Sequence, residues 1–193
     1  LLAFFSRGAR LEGLAAPWAP RIRQSCLCMD GLFLAQDWVE GTKLSEADWC
    51  GYEEGKITSL LKALFDAVDE LHAAGLSHGD LKPTNIILSQ TAEESTVPVF
   101  IDLLDYSRPN DGDRSTPAYC PPHQNDDLQL RDRFAAGQIA VEVIDGWLRS
   151  GAQGSRLQER MAQGILKSND DADYWATLKP LRDALCEAES TGE

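Results

Sequence analysis

The sequence has no lysine before Lys43, only three histidines, no Cys-x-x-Cys pair and no apolar run longer than a few residues at its opening. Each lack narrows the field. The opening LLAFF is far short of the roughly 18 apolar residues that a membrane-crossing helix needs, so no membrane span is expected. Nor do these residues read as a signal peptide, lacking its charged start and small-residue cleavage site. Basic residues are scarce: 18 Lys+Arg face 31 Asp+Glu, a formal charge of −13. Such a chain is repelled by phosphate backbones and anionic membranes, so neither nucleic acid nor membrane is an expected partner. The five cysteines, Cys26, Cys28, Cys50, Cys120 and Cys186, are odd in number and scattered. They point to reduced thiols in a cytoplasmic protein and not to a disulfide framework or a zinc site.

What is present is a globular composition. The 193 residues are 43% hydrophobic and 25% charged, which suits one domain or one large lobe with a real core. Residues 1–13 read as a helix end, and the two prolines of 14–20 as a loop. RQSCLCM (23–29) and LFLAQDWV (32–39) are strand-like and flank Asp30-Gly31, a hairpin signal. Ile57, Leu60, Leu61, Leu64, Phe65, Val68 and Leu71 then form one helical stripe, with Gly75 as its C-terminal stop. Ile86–Leu88 and VPVFID (97–102) predict a second small hairpin. The turn-rich stretch 105–127 is too long for a simple connection, and such loops usually carry function. Residues 132–148 are apolar on nearly all sides, as in a central buried helix, and 154–188 read as amphipathic helices. Strands and helices do not alternate, which disfavours a doubly wound parallel sheet and predicts an α+β fold.

The chemistry is concentrated in LHAAGLSHGDLKPTNIIL, residues 71–88. Asp80, Lys82 and Asn85 on one tight loop supply a carboxylate to orient or deprotonate a hydroxyl, an ammonium to neutralise phosphoryl charge, and an amide oxygen for a hard cation. An isolated Asp-x-Lys would be no more than a polar loop. The whole string, HGDLKPTN, closely resembles the catalytic loop of protein kinases, H-R-D-L-x-x-x-N. Lys82-Pro83 is the form typical of Ser/Thr kinases, whereas aminoglycoside-type phosphotransferases share H-G-D but usually lack that lysine. Further segments resemble the family in order: VFIDLL (99–104) the strand into D-F-G, STPAYCPPH (115–123) the end of the activation segment, DRFAAGQ (132–138) the start of the central helix, and LFLAQDWVEG (32–41) the hinge between lobes.

The resemblance implies a protein-kinase-like fold: a remnant of the small lobe over 1–31, a hinge over 32–41 and a mainly helical large lobe over 42–193. It implies ATP and Mg²⁺ as cofactors and a protein hydroxyl as acceptor. Position by position, Asp80 would act on the hydroxyl and Lys82 contact the transferred phosphate. Asn85 and Asp102 would hold magnesium, and Thr116 would bond to Asp80 and Lys82. Asp37 and Val39 would offer backbone groups to adenine, with Gln36 at the rear of its pocket and Ile87 as its floor. Asp132 would hold the catalytic-loop backbone.

The departures are specific. Gly79 stands for the usual Arg, Leu103-Leu104 for Phe-Gly, and His123 for the terminal Glu of A-P-E. No Gly-rich loop or small-lobe lysine is present, and Glu12 is a weak counterpart of the helix glutamate. The preferred account is a large-lobe piece of a longer protein, whose remaining small lobe or neighbouring domains lie upstream of Leu1; a degenerate small lobe is the alternative. For function, an active Ser/Thr protein kinase is weighed against a pseudokinase serving as an interaction module, and against a small-molecule kinase of related fold.

Overall fold

The stripe beginning at Ile57 forms the helix that organises the molecule. In the computed structural model, which describes residues 2–28, 31–91, 95–103, 116–121 and 127–151, helices span Leu2–Glu12 (α1), Glu54–Ala73 (α2) and Leu128–Arg149 (α3). Strands are Ile22–Cys28 (β1), Gly31–Gln36 (β2), Thr42–Lys43 (β3), Ile86–Gln90 (β4) and Thr96–Phe100 (β5). Ile57, Leu61, Val68 and Leu71 of α2 are wholly buried, as the periodicity requires. They pack with Ala136, Ile139, Ala140 and Ile144 of α3, whose small residues let the two helices approach closely. The side chain of Asp127 caps α3 by accepting hydrogen bonds from the N–H groups of Gln129 and Leu130.

Two sheets flank this helical body. β1 and β2 pair antiparallel, with Cys28 opposite Gly31; β3, β4 and β5 form a second antiparallel sheet in that order. Trp18 joins the α1–β1 region to the rest: its indole N–H donates to Glu70 of α2 at 2.6 Å, and its carbonyl accepts from Phe100 of β5 at 2.8 Å. Both expected hairpins are present, but two strand ends come earlier than their apolar patterns suggest. The second strand stops at Gln36 because Asp37 turns its carboxylate onto Arg23, in two bonds of 2.6 and 2.8 Å. The run 97–102 stops at Phe100 because Asp102 takes a left-handed φ of +60° that no strand accommodates. The amphipathic helices expected over 154–188, with Trp175 and Cys186, lie outside the described residues, as do Leu104, Ser115 and His123.

The connection after β2 returns to the second sheet at a point of very close approach. Gly41 has φ +151°, and a Cβ built there would lie 2.2 Å from the carbonyl oxygen of Leu88 and 2.8 Å from Ile87 Cγ2. Only glycine fits. Gly41→Ala is therefore expected to lower unfolding stability by about 2–4 kcal/mol. Gly55→Ala, where a Cβ meets open space at the start of α2, should raise it by about 0.5–1 kcal/mol. Urea unfolding of the two variants checks both signs.

Candidate active site

The loop after α2 is shaped by its helix stop. Gly75, at φ +69°, ends α2 in a Schellman motif, with Gly75 N–H donating to His72 O at 2.9 Å and Leu76 N–H to Leu71 O at 3.1 Å. The chain then runs without regular structure to a 3₁₀ turn at Pro83–Asn85, where proline suits the first position. Between them lies HGDLK, and α3 supplies its anchor. The carboxylate of Asp132, 1% exposed, accepts the N–H groups of His78 and Gly79, each at 2.7 Å, and contacts His72 Nε2 at 3.1 Å.

His78 is buried in turn. Its Nε2–H donates to Ile101 O at 2.9 Å, while Nδ1 accepts the N–H of Asp80 at 3.4 Å, a pairing that requires the neutral ring. Burial pushes its pKa below the usual histidine value, against the opposing pull of the Asp132 carboxylate; the nearby Arg7 cation also lowers it.

Around this frame stand the reactive groups. Lys82 Nζ donates to Asp80 Oδ2 at 2.6 Å and reaches Thr116 Oγ1 at 3.4 Å. Asp80 Oδ1 accepts both the N–H and the hydroxyl of Thr116 at 3.3 Å. Asn85 Nδ2 donates to the carbonyl of Asp80 at 3.1 Å, and the Asn85 carbonyl accepts Ile101 N–H at 2.9 Å. That last bond brings Asp102, one residue on, to the side of Asn85, with its carboxylate exposed. The exposed carboxylate of Asp102 and the side-chain oxygen of the buried Asn85 are donors that suit a hard divalent cation keeping several waters or phosphate oxygens as ligands, so the residues present fit Mg²⁺.

Five of the nine candidate site residues are therefore brought together: Asp80, Lys82, Asn85 and Thr116 by direct bonds, Asp102 through Ile101. The other four lie in β2, in the connection after it and in β4. Ile87 is half-buried beside Gly41. The N–H of Asp37 is occupied by Arg21 O at 2.9 Å, so its carbonyl is what Asp37 has left to offer. Val39 is half-buried, while Gln36 is exposed at the end of β2. Glu12 faces β1, accepting from the N–H and hydroxyl of Ser25 at 3.1 and 2.8 Å. A groove of about 180 Å³ opens beside Pro83, with Trp49 and Glu142 in its wall. The Glu142 carboxylate accepts the Tyr119 hydroxyl, and burial followed by this carboxylate pushes the Tyr119 pKa up to about 12.

Two participants escaped the sequence pattern. His72 is a buried residue near the end of α2 that also contacts Asp132. Arg7 donates to the carbonyls of Leu103 and Ser77, a tertiary role for which α1 carries no local signal.

The assembly of a helix-anchored Asp-x-Lys loop, a neighbouring Asn and an Asp after a short hairpin defines a protein-kinase-like domain. The chain belongs to the lipopolysaccharide kinase (Kdo/WaaP) family, whose profile matches residues 20–116. It is 29% identical to the serine/threonine-protein kinase pkn3 of Myxococcus xanthus over 137 residues, 61% of this chain and 24% of that protein. It is 34% identical to the protein kinase YpkA of Yersinia pestis over 110 residues, 52% of this chain and 14% of that protein. The chain thus spans a quarter or less of the length of these relatives. Among solved structures, the Mycobacterium tuberculosis PknI kinase domain superposes with a TM-score of 0.65 at 20% identity, over 96% of this chain and 78% of that one. The expected α+β, kinase-like architecture is therefore correct.

The neutral, buried His78 generates a pH dependence of definite sign. The unfolded chain takes up a proton near pH 6.5 that the folded chain resists, so this contribution is full above about pH 6.5 and is lost as pH falls below it. Between pH 6.5 and 5.5 wild type should lose up to about 1 kcal/mol more stability than His78→Phe. Denaturant titrations of both proteins at the two pH values measure the difference.

Proposed function

We propose that this chain is the catalytic large lobe of a Ser/Thr protein kinase, transferring the γ-phosphoryl group of ATP to a protein hydroxyl. The observation that carries the reading is the triangle of Asp80, Lys82 and Thr116, at 2.6, 3.3 and 3.4 Å. Thr116 fixes the carboxylate and the ammonium to each other across the segment that leads into the 117–119 turn, where a peptide acceptor would lie. Asp80 orients the incoming hydroxyl and accepts its proton. Lys82 neutralises charge on the phosphoryl oxygens as they pass. The Asp37 carbonyl and Val39 backbone face adenine, Ile87 supports the ring, and Gln36 stands at the strand end behind it. Asn85 and Asp102 would hold Mg²⁺, which when bound offsets the charge of the ATP phosphates.

The family match supports a second acceptor class. The family is described as a lipopolysaccharide kinase family, and a sugar hydroxyl would meet the same Asp80 and Lys82. A pseudokinase acting as an interaction module is the remaining alternative, favoured by Leu104 and His123 in place of the usual Gly and Glu and by the lack of a lysine before Lys43.

The test uses the full-length protein with radiolabelled ATP, Mg²⁺, a mixed protein acceptor and, separately, lipopolysaccharide. Asp80→Asn should reduce turnover by about 10²–10⁴-fold while nucleotide binding persists, because the carboxylate acts on the hydroxyl. Asp102→Asn should weaken Mg²⁺-dependent nucleotide binding and turnover together. Label in lipopolysaccharide alone would move the assignment to the sugar acceptor. No transfer to either, with Asp80→Asn functional in cells, would leave the pseudokinase.

A further inference from the structure

Asp102 holds a backbone conformation that a non-glycine residue does not keep unaided. At φ +60° it sits in the left-handed region, which persists only where the surroundings over-determine it. On its N-terminal side the constraint is complete: Ile101 N–H donates to Asn85 O and Ile101 O accepts from His78 Nε2, both at 2.9 Å. On its C-terminal side the Leu103 side chain is buried, and the Leu103 carbonyl accepts from Arg7 Nε of α1. The same guanidinium donates through Nη2 to the carbonyl of Ser77, the residue before His78. Arg7 is itself 7% exposed. One turn on, Arg10 Nη1 donates to Gly75 O at 3.2 Å, just beyond the C-terminus of α2 where the helix dipole is negative, so both arginines of α1 bond carbonyls of the 75–77 segment.

The planar guanidinium presents Nε and Nη2 along one edge and so bridges two carbonyls side by side, which a lysine ammonium cannot do in the same way. Ser77, His78, Ile101, Asp102, Leu103 and Arg7 thereby close a ring of backbone and side-chain bonds. From this ring we infer that Arg7 is a positioning residue: it clasps the carbonyl of Leu103 to that of Ser77 at the base of the 78–82 loop and keeps the Asp102 carboxylate beside Asn85. A displacement of α1 is then transmitted to Asp102 through one side chain. The functional half of this inference rests on the reading of Asp102 as a metal ligand; the structural half does not.

The test is hydrogen exchange by mass spectrometry on the full-length protein, comparing wild type with Arg7→Lys and Arg7→Gln. Arg7→Lys keeps the charge and removes the fork. It should exchange about tenfold faster at 101–103 and 78–79, the scale of one lost charge-assisted hydrogen bond, with α3 unchanged. In turnover assays the Mg²⁺ concentration for half-maximal rate should rise about tenfold while the acceptor KM stays fixed, a split that general destabilisation does not produce. If Arg7→Gln fails to fold, Arg7→Lys decides alone. Unchanged exchange at 101–103 in folded Arg7→Lys overturns the clasp, as does a loss of protection spread equally into α3. If wild type transfers no phosphoryl group, the kinase reading fails and the exchange result still decides the clasp.

Discussion

The buried carboxylate of Asp132 bears the arrangement of the whole site. A charge removed from water at the start of a central helix is costly unless hydrogen-bonded on every side. Here it is met by two backbone N–H groups, of His78 and Gly79, and by the ring of His72. The need runs in both directions. The 78–82 loop has no strand or helix partner to satisfy its amides, so without Asp132 those two donors would be buried and empty. The carboxylate and the loop therefore specify each other, and the helical core of α2 and α3 dictates where Asp80 and Lys82 stand.

Around this anchor the site is assembled from pieces of different kinds. The β4–β5 hairpin brings Asn85 to Ile101 and so delivers Asp102. Gly41 lets the connection from β2 press against Leu88 and Ile87, which ties that connection to β4. Trp18 ties α1 and β1 to α2 and β5, and the arginines of α1 reach the carbonyls of Gly75, Ser77 and Leu103. The rigid helical body thus holds the residues of the Asp-x-Lys loop, while Ile87, Asp102 and the connection after β2 are held by shorter elements leaning on it.

Much of this was readable in the residues. The stripe from Ile57 to Leu71 and the all-round apolar character of 132–148 gave α2 and α3, because burial of this kind leaves a periodic trace. HGDLKPTN announced the loop, and DRFAAGQ its anchor. Where the reading fell short, the cause was conformational or tertiary. VPVFID looks like six strand residues, yet the left-handed turn at Asp102 leaves no mark on an alternating pattern. LFLAQDWV likewise conceals the point at which Asp37 turns to Arg23. His72 and Arg7 act across long stretches of chain, and a single buried polar residue on a helix has no periodicity to betray it.

The contacts of Asp80 set a limit on what can approach it. A carboxylate offers about four lone-pair positions in all. Thr116 occupies both on Oδ1, through its N–H and its hydroxyl, and Lys82 occupies one on Oδ2. Among the described residues one acceptor position remains, on the oxygen that already faces the ammonium. Under the proposed chemistry a single hydroxyl is admitted at a time, and its direction of entry is fixed by subtraction: the vacant side of Oδ2, where the departing proton and the incoming phosphoryl charge meet the same Lys82.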